Sequence, residues 1–246
     1  MTFDFKNKKI IITGGTRGIG KQIAQELYNL NADLIITGTG DKKQFNNFID
    51  NTERVCYYKS DFTKKEDIDQ FIEYIKREKS IYGLVNNAGI NILNSIPNIN
   101  QEDWYNMVNV NLTAPLMIMS AVSSIMLKNS FGRIVNISSI FGVISKERRV
   151  AYSSTKSGIL GMTQGASNDL AKNNILVNAV SPGFINTDLT RKNLTETQQN
   201  ELKQLIPIQR LGEVSEISKI VTFLLSEHNT YITGQNIIID GGYTNV

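Results

Sequence analysis

Two short stretches hold residue types at spacings that could do chemistry. In YSSTK, Tyr152 and Lys156 stand four residues apart, so on a helix they share one face with a rise of about 6 Å between them. A cation beside a phenol favours phenolate and lowers a pKa that starts near ~10, which brings tyrosine toward acid–base work at neutral pH. In TGGTRGIG, residues 13–20, Gly14, Gly18 and Gly20 follow the apolar run Lys9-Ile10-Ile11-Ile12 and lead into helical spacing. A phosphate can meet free backbone N–H groups at a helix N-terminus only where no side chain blocks it, and glycine gives that clearance. The ligand this implies is a dinucleotide, although Gly-x3-Gly-x-Gly is not the usual Gly-x-Gly-x2-Gly fingerprint. Taken singly, each stretch also fits a plain structural role, as a packed turn or a solvent-facing helix pair.

The elements that must position these residues alternate along the chain. Short β-branched runs predict strands at 9–13, 32–37, 54–59, 81–86, 132–138, 174–180 and 235–240. Most are apolar on both faces, as buried parallel strands are. Between them lie helical patterns, clearest over Lys64 to Lys79, where Ile68, Phe71, Ile72 and Ile75 fall on one stripe and Thr63 with Glu66 predicts a capping box. Pro115, inside the helical stretch Gln101 to Lys128, should bend it or mark a helix start near residues 109–114. The fold class predicted is α/β: a single Rossmann-type, doubly wound parallel sheet of about seven strands with helices on both faces. It forms one domain over residues 1–246.

Composition removes other function classes. A net charge of +3 with basic residues scattered among acids gives no support for nucleic-acid binding. With Cys56 the only cysteine and His228 the only histidine, no intrachain disulfide, metal site or Ser-His-Asp triad is expected. The N-terminus lacks a signal-peptide core and no apolar run approaches the ~20 residues that span a bilayer. A cytoplasmic protein without membrane contact is therefore expected.

TGGTRGIG, NNAG at 86–89, a serine 13 residues before the tyrosine, YSSTK, and SPGFINT at 181–187 occur in this order. Together they resemble the short-chain dehydrogenase/reductase family over essentially the whole chain. Within it, RLG at 210–212 and the tail YITGQNIIIDGG resemble bacterial 3-oxoacyl-[acyl-carrier-protein] reductases. The resemblance implies a catalytic tetrad of Asn111, Ser139, Tyr152 and Lys156. Ser139 would bind the substrate carbonyl, Tyr152 protonate its oxygen, Lys156 hold the nicotinamide ribose and lower the phenol pKa, and Asn111 anchor a relay water. Ser138 and Asn109 are the local rivals of Ser139 and Asn111, set aside by spacing and context. The resemblance also places cofactor contacts at Gly14, Thr16, Arg17, Gly18, Ile19, Gly20, Thr37, Thr39, Asp61, Phe62, Asn87, Ala88 and Gly89. Beyond them it adds Tyr152 and Lys156 again, and Pro182, Gly183, Ile185 and Thr187, with a substrate lid over 186–205. Asp61 would touch adenine; its plainer role is to open the following helix.

The end of the second strand, where NAD-binding proteins place an acid for the ribose hydroxyls, carries Gly38. No carboxylate there repels a 2′-phosphate, Thr37 and Thr39 can bond one, and Arg17 can approach it, so NADP(H) is predicted; Asp41 is the competing acid. The leading function is an NADPH-dependent ketone reductase acting on a 3-oxoacyl thioester. The loop SKERRV at 145–150 departs from the carrier-protein reductases, whose loop is small and less charged. It keeps a sugar, nucleotide-sugar or polyol substrate open, beside a solvated or subunit-facing loop. The two basic positions that dock acyl carrier protein in those reductases fall on Ser130 and Asn173, neither basic, with Lys128 and Lys172 nearby. A catalytically silent cofactor-binding regulator is the reading from another class, and it would have lost the tyrosine or the lysine. Family resemblance further implies a homotetramer.

Overall fold

In a computed structural model, which describes residues 2–41, 53–187, 190 and 195–245, all seven apolar runs become strands whose ends lie within two residues of expectation. They are β1 (Lys9–Ile12), β2 (Asp33–Gly38), β3 (Val55–Lys59), β4 (Gly83–Asn86), β5 (Gly132–Ile137), β6 (Ile175–Pro182) and β7 (Asn236–Ile239). Every pairing is parallel, in the order β3-β2-β1-β4-β5-β6-β7. The chain winds outward from β1 to β3, then returns to lay β4 on the other side of β1. That reversal leaves a crevice beyond the carboxyl ends of β1 and β4, where open α/β sheets bind ligands.

Apolar alternation explains why the sheet is covered on both faces. Ile10 and Ile12 enter one core with Ile23, Ala24 and Leu27 of α1 (Gly18–Asn29), while Ile11 enters the other with Phe71, Ile118 and Val122. Fully burying each of these side chains other than Ala24 contributes about 1.5–3 kcal/mol. The second core is closed by α2 (Lys65–Ile75) and by the helices after β4. The first is closed further by α7 (Val214–Leu225), after α6 (Glu196–Gln204).

Two local expectations are corrected. Helix α2 is shorter than predicted, and the Thr63–Glu66 capping box does not form. Asp61 captures Thr63 instead, its Oδ1 accepting from the Thr63 N–H at 3.1 Å and hydroxyl at 2.8 Å, while Asp67 Oδ2 accepts from the Asp61 N–H at 2.7 Å. An Asx turn has taken the hydroxyl the box needed. The 101–129 stretch runs as α3 (Gln101–Val108), a π-helical turn (Asn109–Thr113) and α4 (Ala114–Asn129), with Pro115 in the first turn of α4. Proline lacks the N–H an α-helix needs there, and the wider turn accommodates it without a break. By length and composition Gln101–Asn129 is also apolar enough to cross a bilayer, against the sequence reading; 56% of its most apolar window is buried within the molecule.

Candidate active site

The glycine turn after β1 is braced by the Thr13 hydroxyl and by Asn87, the residue that follows β4. Thr13 Oγ1 accepts from the Asn87 and Ala88 N–H groups, each at 3.0 Å, and Asn87 Nδ2 donates to the Thr13 and Gly14 carbonyls, each at 3.0 Å. A Cβ at Gly20 would stand 2.3 Å from Asn87 Nδ2 and 2.4 Å from the Gly14 oxygen. Gly14 and Gly20 are therefore demanded by the approach of this chain to itself, not by phosphate clearance. Gly18 is different: its φ is +54° and a Cβ there would meet only Thr187 Cγ2, at 3.8 Å. It leaves the start of α1 open to an anion. Thr16 and Ile19 flank it, half-buried.

Helix α5 (Val150–Leu170) carries Tyr152 and Lys156 into the crevice. Lys156 is 4% exposed, and its Nζ donates to the Ile137 carbonyl at 2.9 Å and lies 5.8 Å from the Tyr152 ring centroid. Burial brings its pKa down to about 8. Burial also pushes the Tyr152 phenol up, partly opposed by the Ser139 hydroxyl and by the charge of Arg149. Desolvation thus outweighs the expected help from Lys156, and the opposing cation is Arg149. Of the two serines after β5, Ser139 faces Tyr152 and accepts from the Phe141 N–H at 3.1 Å, while Ser138 donates to the Lys156 carbonyl at 2.9 Å.

Asn111 sits in the π-helical turn, 1% exposed. Its Nδ2 donates to the Ile90 carbonyl at 2.8 Å and Thr155 Oγ1 at 3.1 Å, and its Oδ1 accepts from the Ile90 N–H at 2.8 Å. It clamps the chain after β4 to α5. Among the described residues the side chain of Asn109, the rival, bonds only the Thr63 carbonyl. Gly89 opens the floor of the crevice: a Cβ there would stand 3.5 Å from both Asn111 Oδ1 and Lys156 Nζ.

The adenosine side requires one correction. Thr37 is 1% exposed and its Oγ1 accepts from the Gly14 N–H at 3.2 Å, so it braces the glycine turn and cannot reach a ribose phosphate. Thr39 is exposed, and Arg17 is exposed with no hydrogen-bonding or ionic partner among the described residues. Asp41 is held by Lys59 at 2.8 Å. A Cβ at Gly38 would stand 2.7 Å from Thr16 Cγ2, so Thr16 occupies the space an acidic side chain would need. Asp61 lies beyond β3 with Oδ1 committed to Thr63, and Phe62 is buried in the core.

Pro182 ends β6, and the Gly183 N–H donates to the Ile239 carbonyl at 2.8 Å. Ile185 turns into the core, its backbone bridges to Gly212, and its carbonyl accepts from Thr190 Oγ1 at 2.7 Å. Thr187 reaches across toward Gly18. Of the lid over 186–205, residues 188–189 and 191–194 lie outside the described residues; α6 begins on a capping box of Thr195 with Gln198.

The sequence reading missed a buried polar ladder beneath the site. Asn86 Nδ2 donates to Asn136 Oδ1 at 2.9 Å, and Asn136 Nδ2 to Thr163 Oγ1 at 2.9 Å, tying β4 to β5 and α5. Polar residues at matching ends of two apolar strands were its signal. Also missed was an aromatic wall running Tyr152, Phe141, Phe184 and Tyr243, with successive ring centroids 5.0–6.5 Å apart.

Comparison with known proteins agrees with this arrangement. A family model described as enoyl-(acyl carrier protein) reductase matches residues 14–244. The 3-oxoacyl-[acyl-carrier-protein] reductase FabG of Aquifex aeolicus (strain VF5) is 38% identical, with 98% of this chain and 99% of that protein covered. Among solved structures, ElxO with NADP bound is 33% identical, with a TM-score of 0.90 and 97% and 99% of the chains covered. A Y152F form of ElxO has been solved with NADPH bound. A gluconate 5-dehydrogenase from Burkholderia cenocepacia J2315, in complex with NADP and tartrate, is 27% identical, with a TM-score of 0.90 and 100% and 98% covered.

Proposed function

The chain belongs to the short-chain dehydrogenase/reductase family, and from that premise we propose that it is an NADPH-dependent ketone reductase whose substrate is a 3-oxoacyl thioester. The observation that carries the reading is one crevice lined by the open Gly18 turn, Lys156, Tyr152 and Ser139, in a chain 38% identical to a 3-oxoacyl-[acyl-carrier-protein] reductase. A nicotinamide dinucleotide supplies the hydride. The residues fit it: Gly18 and Gly89 leave room, Arg17 is an unpaired cation, and Gly38 under Thr16 excludes the acid that favours NAD. Both solved relatives described above carry NADP.

The chain's own groups divide the work. Ser139 and Tyr152 would hold the substrate carbonyl oxygen with two donors placed where negative charge develops. The Tyr152 phenol, kept protonated by burial, would then deliver its proton there. Lys156 would orient the ribose and replace that proton, with Asn111 fixing the chain around it. Stabilisation grows toward the transition state, which is what accelerates the step. The whole chain works as one domain with a lid over 186–205, as a cytoplasmic homotetramer.

The deciding experiment follows NADPH oxidation with acetoacetyl thioesters on coenzyme A and on carrier protein, beside keto-sugars and small ketones. Best turnover on the carrier-linked thioester is the expected result; failure of both thioesters would overturn the substrate. Higher kcat/KM with NADH than NADPH would overturn the cofactor. A keto-sugar or sugar-acid substrate is the second reading, favoured by the charged loop 146–149 and the likeness to a gluconate 5-dehydrogenase.

A further inference from the structure

Arg149 has no task in the mechanism above, and the fold gains little from it. Its guanidinium is half-buried and lies 4.8 Å from the centroid of the Phe141 ring. Phe141 in turn packs edge-on against Tyr152, with centroids 6.5 Å apart, and its N–H binds Ser139. The cation therefore stands at the reacting end of the crevice. No carboxylate or carbonyl among the described residues accepts from the guanidinium: Glu147 beside it is exposed and forms no ion pair, and the neighbouring Arg148 is spent on the Leu93 carbonyl at 3.3 Å.

Stability does not explain such a placement. Arg149 is the N-cap of the 21-residue helix α5, whose first turn contains no acid, so the cation faces the positive end of the helix dipole. Burial opposes its charge as well. Arg148 before it holds a left-handed backbone, φ +63°, a conformation that costs energy outside glycine and clusters at functional sites. The cation–π contact with Phe141 offsets part of this and leaves the guanidinium N–H groups free, and local rules broken for so small a return mark a position kept for a ligand. A guanidinium with its fork unspent, next to the carbonyl site, matches a carboxylate.

We propose that Arg149 is the anion-recognition residue of the substrate site, and that the protein therefore also reduces free 3-oxo acids, ketones bearing a carboxylate close to the carbonyl. The inference rests on the ketone-reductase reading but not on its thioester. In the reaction, hydride passes from NADPH to the carbonyl carbon and the Tyr152 proton to its oxygen. The products are a 3-hydroxy acid and NADP⁺, and the carboxylate is unchanged on the guanidinium.

The test compares acetoacetate with its ethyl ester, two ketones that differ in charge, in the wild type and in Arg149→Gln and Arg149→Lys. The reading is the ratio of kcat/KM for acid over ester, which cancels any general loss from a disturbed loop. Removing a charge-assisted contact should lower that ratio at least ~10-fold in Arg149→Gln, with Arg149→Lys between. A ratio unchanged in Arg149→Gln overturns the proposal while leaving the reductase reading intact. A wild type that does not reduce acetoacetate overturns the claim that free 3-oxo acids are substrates, whatever the thioesters show, and calorimetric titration of the NADP-loaded protein with malonate then judges Arg149 as an anion site separately. Malonate binding weakened at least ~10-fold by Arg149→Gln supports the site, and equal binding or none in the wild type overturns it.

Discussion

At the scale of single residues, the site depends on which protons stay in place. Replacing Tyr152 by Phe removes the proposed acid and little volume. Loss of a general acid typically costs ~10²–10⁴-fold, so kcat for ketone reduction should fall by about that factor while the NADPH Kd stays within roughly threefold. Stopped-flow turnover beside a fluorescence titration separates the two, and near-normal turnover would remove Tyr152 from its role. Lys156 gives a pH signature. Its pKa is brought down to about 8 by burial, so the charged form is present at pH 7 and is lost as pH rises through about 8. If the charge is needed, kcat/KM should fall about tenfold per pH unit above that point, while the phenol, pushed up by burial, keeps its proton. A profile flat to about pH 9.5 would rule out a required ammonium. Stability moves the other way. A folded pKa below the unfolded value means the folded chain sheds this proton first, so Lys156 makes a growing contribution to stability between about 8 and the ordinary 10.5.

At the scale of elements, the glycine turn and the strand ends were legible in the sequence, but the reason for each glycine was not. Short continuous apolar runs specify strands that must be buried on both faces, and Gly-rich letters between strand and helix specify a tight turn. What fills the space beside a glycine is a tertiary matter. Only the arrival of Asn87, just after β4, reveals why Gly20 has no side chain. The two glycines should therefore fail differently. Gly20→Ala drives a methyl into Asn87 and the Gly14 carbonyl, an overpacking worth about 2–3 kcal/mol, read as a Tm lowered by roughly 4–10 °C. Gly18→Ala has open space and pays mainly for its positive φ, about 1 kcal/mol, yet should weaken NADPH by roughly tenfold. Melting curves and NADPH titrations of both variants check this; an equal loss of Tm in the two would show that Gly18 is also a packing glycine. Thr37 was misread for the same reason. A threonine at a strand end has the right chemistry for phosphate, but the loop geometry spends its hydroxyl on Gly14 before any ligand arrives. Asn111, Ser139, Tyr152 and Lys156, by contrast, were identified through the family resemblance, with the Ser139 to Tyr152 spacing and the context of Asn111 deciding between neighbours, and the fold brings them to one crevice.

At the scale of the whole molecule, the described surface leaves apolar groups that a lone chain would rather cover. Edge strand β7 exposes or half-exposes Ile237, Ile238 and Ile239, an open pairing and packing edge of the kind proteins usually protect. Tyr105, Leu116, Met117 and Leu127 are exposed along α3 and α4, and Tyr231 is 94% exposed. On α5, Gly161 and Gly165 have nothing within 4 Å of where a Cβ would stand. Glycine in a helix interior costs about 1 kcal/mol relative to alanine, and a flat face that lets another helix approach closely would offset that cost. In the proposed homotetramer these helical and C-terminal surfaces are the ones the partner chains would cover. Light scattering should accordingly give a particle of four chains. Gly165→Arg discriminates sharply, because within one chain its Cβ enters open space on an exposed helix face and the change improves helix propensity, whereas across a helix-to-helix interface the side chain has no room. The expected outcome is an assembly reduced to two chains or one, with the far-UV signature of the fold intact. A wild type that is monomeric, or a Gly165→Arg protein still of four chains, would mean that the open face of α5 serves something other than self-association.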